Sequence, residues 1–136
     1  MFLNQLSEDE KELFLDLCGH AVVIDGEFEI EEMEAIARCC YEMMVPNHMP
    51  DTEQPLGYIL SELNSTASRQ EINIIIIELI MLLKQDGAYE QKEIEFLNKV
   101  TEILGVSEEK FEKLEKLADS YIILRNEMTD EISKEV

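Results

Sequence analysis

An all-α fold, a single compact domain of six to seven helices, is what this sequence predicts, and three observations predict it. Apolar residues recur at spacings of three and four through most of the chain, the period of a helix that buries one face. Five glycines and three prolines are all that interrupt 136 residues. An internal repeat places two helix–Asp-Gly–helix units in tandem, in an arrangement compatible with a pseudo-two-fold around a buried central helix. The length suits one domain, residues 1–136. With 46% apolar and 31% charged residues, the chain can bury a sizeable core.

The elements follow in order. Ser7 and Glu10 have the spacing of a capping box, and Leu13, Phe14, Leu17, Cys18, Ala21 and Ile24 continue at helical spacing, so a helix is expected over about 8–24. Asp25-Gly26 ends it, since glycine readily takes the left-handed position after a helix. A second helix over about 30–45 carries an apolar stripe of Met33, Ile36, Ala37, Cys40 and Met44. Val45–Pro55 holds all three prolines and reads as a loop. A short helix over about 56–63 and a polar connector follow. The run Ile72–Leu83, INIIIIELIMLL, is apolar on nearly every face although it contains Asn73 and Glu78. It lies in a helix over about 68–85, expected at the centre with the others around it. At 12 residues it is too short for a bilayer span, which needs about 20. Asp86-Gly87 ends that helix. The next, about 91–104, presents Ile94, Leu97, Val100, Ile103 and Leu104, and Gly105 stops it. Ser107 caps a last long helix with Phe111, Leu114, Leu117, Ala118 and Tyr121. The tail after Arg125 is polar, a short helix or frayed from about 126 on.

Shifting the chain by 61 residues lays Asp25–Ile36 on Asp86–Leu97. Asp25/Asp86, Gly26/Gly87, Glu29/Glu90, Glu32/Glu93 and Glu34/Glu95 are identical pairs. From Asp25 to Glu34 there are six carboxylates and no base. The glutamates sit at helix N-termini, where negative charge is favoured. The aspartates sit at helix C-termini, where it is not. Two accounts of the aspartates stand: Asp-Gly is good turn chemistry, or a cation offsets the clustered charge. The second makes Asp25, Glu29, Glu32, Asp86, Glu90 and Glu93 an oxygen-ligated site for a divalent cation, calcium or magnesium before zinc. Neither copy is a complete EF-hand. With Gly26 at the sixth loop position, Glu32 falls at the twelfth, but the first and third ligands become Ala21 and Val23, and in the second copy Leu82 and Lys84.

In VVIDGEFEIEEMEAI and LLKQDGAYEQKEIEFLNKVTEILGVSEEKFEKL the chain resembles the tellurite-resistance TerB-like family. That helical group includes the N-terminal domain of a membrane-anchored DnaJ-type co-chaperone. The resemblance spans roughly Leu13 to Leu117 and departs from the usual pattern at Lys84-Gln85. It implies a compact helical fold, an acidic metal-binding surface and a setting in metal, oxyanion or general stress response. It implies no particular enzymatic activity.

Charge and motifs bound the function further. Eleven basic against 31 acidic residues give a formal charge of −20, which opposes binding to nucleic acid or to anionic membranes. It suits a divalent cation or a basic protein partner. Phosphate-loop, nucleophile-elbow and zinc-protease motifs are absent from the sequence, so a non-enzymatic role is expected. Cys18, His20, Cys39 and Cys40 lack zinc-site spacing and read as buried free thiols and a surface or core histidine; His48 lies in the loop. Three cysteines, two of them adjacent, make a poor disulfide framework. The first residues do not form a secretory signal, so a cytoplasmic protein with reduced thiols is expected. Met33, Met44 and Met81 are expected in the core. Met43, Met49 and Met128 are expected at the surface, where with Phe2 and Leu3 they would support a homodimer. The leading expectation is a cation-binding TerB-like module; the alternative is a metal-independent interaction module with a basic partner.

Overall fold

The computed structural model describes residues 1–24, 30–47, 49–50, 52–84 and 89–135. Among them the chain forms a short 3₁₀ turn (Leu3–Gln5) and six α-helices: α1 (Glu8–Val22), α2 (Ile30–Met43), α3 (Leu56–Thr66), α4 (Arg69–Leu83), α5 (Gln91–Leu104) and α6 (Glu108–Ser133). None of these helices is long and apolar enough to cross a membrane.

The repeat is written into the helix boundaries. Under the 61-residue shift α1 maps onto α4 and α2 onto α5, end to end. The caps repeat as well. Ser7 accepts the Glu10 N–H at 3.3 Å while Glu10 Oε1 accepts the Ser7 N–H at 2.8 Å. Ser68 and Glu71, one shift on, make the same pair at 3.1 and 2.8 Å. Each box satisfies two amides that a helix start otherwise leaves bare. The ends of α2 and α5 also match. Val45 N–H donates to Cys40 O and Met44 N–H to Tyr41 O; Val106 N–H donates to Thr101 O and Gly105 N–H to Glu102 O. Met44 and Gly105, the turning residues, have φ of 60° and 68°.

The core forms around α4, as its all-round apolar pattern requires. Ile72, Ile75, Ile76, Leu79 and Ile80 are essentially inaccessible and join Phe14, Leu15 and Leu17 of α1, Ile59, Leu60 and Leu63 of α3, and Leu97, Val100 and Leu104 of α5. Each such side chain contributes roughly 1.5–3 kcal/mol by leaving water. α1 packs on α3, and α4 packs on α6. Arg69 fastens α4 to the end of α5, its guanidinium donating to Leu104 O and Gly105 O, both at 2.8 Å. Lys84 fastens α4 to α6, its ammonium 2.7 Å from Asp119 Oδ1 and 3.7 Å from Glu115. The Pro-rich segment docks on α1. A Cβ on Gly19 would come within 2.7 Å of Pro50 Cβ, and the His20 ring donates to Gln54 O at 2.6 Å.

The stripes differ from expectation in register. On α2 the buried residues are Ala35, Ile36, Cys40 and Met43, so the face is turned by about one residue. Met33 and Met44 are exposed, Met44 to 87%, because the helix stops at Met43 and the chain turns away. Met43, expected at the surface, is in the core. Ile94, the repeat equivalent of Met33, is exposed too. Leu3 is fully buried under α2 and α4 rather than part of a surface patch. The tail after Arg125 is neither a short separate helix nor frayed: α6 runs unbroken to Ser133.

Candidate functional site

Where the repeat is broken, the molecule opens. In one half α3 packs on α5 with Leu60, Phe96 and Val100 in the core, beside Leu17 of α1. One shift away, the corresponding space between α2, α4 and α6 holds a cavity of about 170 Å³ that opens at the surface. The substitutions explain it. Phe96 becomes Ala35, Val100 becomes Cys39, Ile103 becomes Glu42, Leu17 becomes Glu78 and Leu60 becomes Tyr121. A phenylalanine reduced to alanine removes volume, and carboxylates in place of aliphatic residues require polar partners. A cavity of about 150 Å³ is enough for a benzene-sized guest.

The partners come from the chain's first residues and from two arginines. The Met1 ammonium lies against both Glu42 and Glu78, 2.9 Å from Glu78 Oε1. The Phe2 N–H donates to Glu78 at 3.0 Å and the Leu3 N–H to Glu42 at 3.4 Å. Glu78 is only 7% exposed, and these donors supply the polar partners that its burial requires. Burial works against the ammonium, but the two carboxylates outweigh it and raise its pKa. Arg38 and Arg125 complete the wall, the Arg125 guanidinium 5.8 Å from the Tyr121 ring centre.

Cys39 also lines this cavity. Cys18 of α1 is fully buried in the core against which Cys39 packs, and the two thiols are near enough to interact. The Cys18 thiol lowers the Cys39 pKa, against opposing contributions from burial and from Glu78 and Glu42. Burial raises Cys18 well above the ordinary thiol range, and Cys39 adds to it. Residues of α2, α4 and α6 are thus drawn together with a cysteine pair that sequence spacing did not connect. Glu78, the carboxylate inside an otherwise apolar run, was the signal that could have found the place.

Of the six residues expected to ligate a cation, Asp25, Glu29 and Asp86 lie outside the described residues. Glu32 is half-buried in the first turn of α2. Glu90 is the exposed N-cap of α5, and Glu93 accepts the Glu90 N–H at 2.8 Å. Glu93 is therefore engaged as a helix cap. Among the described residues no three His, Cys, Asp or Glu side chains converge as a metal-ligand group. Two residues before the second Asp-Gly in sequence, Lys84 brings a cation of the chain's own to the carboxylates of α6. Lys84 pairs with Asp119 and Glu115 and lies 4.7 Å from the Tyr89 ring centre. His20 is turned to the Pro-rich segment, away from the cysteines' shared contact.

Comparison with models of known protein families, with characterised proteins and with solved structures finds no match to this chain. The TerB-like resemblance therefore stands on the residues quoted for it above.

Proposed function

We propose that this chain is a non-enzymatic protein-interaction module that binds a basic amphipathic partner, without metal, along the free end of α6. The observation that carries this reading is the state of that helix. α6 is 26 residues long and its only fully buried residue is Ala118. Every residue from 123 to 135 is exposed while the helix continues to Ser133. Leu117, Leu124, Met128 and Ile132 fall on one stripe at helical spacing and are 55–81% exposed. An apolar stripe of this kind is a helix-docking face, and Met supplies an adaptable contact. Glu127, Asp130, Glu131 and Glu135 surround it, so the complementary partner is basic. A second copy of this chain, itself at −20, is disfavoured by repulsion.

Lys84 supports the metal-independent form, since its ammonium, two residues before the second Asp-Gly in sequence, already meets carboxylates of α6. The cation reading is favoured instead by the end-to-end match of the helices that flank the two Asp-Gly dipeptides in sequence. It retains the ligand set Asp25, Glu29, Glu32, Asp86, Glu90 and Glu93, and with it the stress-response setting of the TerB-like resemblance.

The test is titration of a labelled Lys- and Leu-rich amphipathic peptide with the wild type and with Leu124→Asp/Met128→Asp. Electrostatics alone would tighten binding to the more acidic variant. Binding through the stripe instead weakens by tenfold or more, on the order of 1.4 kcal/mol. Unchanged or tighter binding by the variant overturns the proposal. Thermal unfolding of metal-stripped protein with calcium or magnesium decides the other reading. Saturation at 100 times the dissociation constant stabilises by about 2.7 kcal/mol, and a rise lost in Asp25→Asn/Asp86→Asn would establish the cation site.

A further inference from the structure

The geometry points to Cys39 as an oxidant-reactive thiol, reached by a small hydroperoxide through the cavity between α2, α4 and α6 and resolved by Cys18 into an intramolecular disulfide. Three independent features meet here. Cys39 lies on the wall of a cavity that opens to solvent and is large enough for a small peroxide. Cys18 belongs to the core cluster against which Cys39 packs, with the two thiols near enough to interact. The Met1 ammonium, Arg38 and Arg125 lie around the same cavity, where positive charge favours a thiolate over a thiol, while Glu42 and Glu78 on the same wall act against it. The repeat sharpens the point, because the equivalent of Cys39 is Val100, closed in the core.

The chemistry balances in two steps. Cys39 sulfur attacks one peroxide oxygen, the O–O bond breaks, and the Cys39 proton leaves with the departing alkoxide as an alcohol, or as water for hydrogen peroxide. Sulfur is oxidised by two electrons to the sulfenic acid and the peroxide is reduced. Cys18 sulfur then attacks Cys39 sulfur, the S–S bond forms, the S–O bond breaks, and hydroxide leaves with the Cys18 proton as water. The thiols must close to about 2.05 Å, which draws α1 and α2 together at the cavity wall. Cys40, adjacent in sequence, is fully buried and serves as the internal control.

The full chain is treated with hydrogen peroxide and mapped by mass spectrometry without reduction. The expected product is a Cys18–Cys39 linked peptide, with Cys40 left as a thiol. In Cys18→Ser, dimedone added with the peroxide labels Cys39 as its sulfenic acid; in Cys39→Ser no disulfide forms. Dimedone competition on the wild type gives the same assignment should Cys18→Ser not fold, since label then appears on Cys39 before Cys40. A disulfide involving Cys40, labelling of Cys40 ahead of Cys39, or survival of all three thiols under peroxide that oxidises free cysteine overturns the proposal.

Discussion

Glu10 and Glu71 occupy the same position of the two halves, and their carboxyl groups lie near enough for each to shift the other's proton affinity. α1 and α4, which carry them, pack on each other. Burial raises the Glu10 pKa, and Glu71 raises it further. Glu10 in turn lowers that of Glu71. The first proton taken up by the pair is held at Glu10.

Stability should follow that proton. Glu10, with a raised folded pKa, contributes fully below the ordinary glutamate value and loses its contribution as pH rises through the raised value. Glu71, with a lowered one, contributes fully above the ordinary value and loses it as pH falls through the lowered value. The pair is at its best near about pH 4.5. Glu10→Gln keeps an oxygen for the Ser7 N–H and a permanent N–H for Glu71. Its melting temperature is expected to exceed the wild type's at about pH 7 and to match it near about pH 4.5. A difference independent of pH would contradict the coupling of the two carboxyl groups.

Met44 and Gly105 perform one task with unequal residues. Both turn the chain out of a helix with positive φ, a conformation that costs a side-chain-bearing residue about 1–2 kcal/mol. Met44 is almost wholly exposed, so removing its side chain loses little packing. Met44→Gly is expected to stabilise by about 0.5–1 kcal/mol after the entropy of the unfolded glycine is counted. Gly105→Ala is expected to cost about 1 kcal/mol or more. Its Cβ would meet nothing closer than Arg69 at 3.7 Å, so the cost is conformational. Urea unfolding of both variants checks the opposite signs.

Gly19 is a glycine in a helix interior, where alanine would ordinarily gain about 1 kcal/mol. Here the gain is expected to reverse. The new Cβ would lie 2.7 Å from Pro50 Cβ and 3.2 Å from Thr52 Cγ2, on a ring that cannot rotate aside. Gly19→Ala should lower stability by about 1–3 kcal/mol, with the damage local to the docked segment. Proteolysis between Val45 and Pro55 at native temperature should quicken; a stabilised or unchanged variant would mean that the segment yields freely.

The helices were legible because their ends are marked by chemistry. Ser7 and Ser107 cap the N-termini of α1 and α6 as their spacing predicts, and α4 lies at the centre because INIIIIELIMLL has no polar face. The repeat was legible at Asp-Gly and extends further than those residues, through Ser68, Glu71 and Met44. The stripe on α2 was less legible. Apolar side chains are available on more than one face there, and burial of Met43 rather than Met44 was decided by the left-handed turn that ends the helix. The cavity was not legible from any one helix. It arises from differences between equivalent positions, Leu17 against Glu78 and Phe96 against Ala35, and its cysteine pair joins α1 to α2 across helix packing that spacing along one strand of sequence does not encode.

α6 carries two duties on one stiff rod. Tyr121 and Arg125 line the cavity, while the helical residues beyond Ile122, which end at Ser133, extend about 16 Å along the helix axis. Beyond the Lys84 clasp on Asp119 and Glu115, the proposed docking face and the rim of the opening to Cys39 thus share one continuous helix.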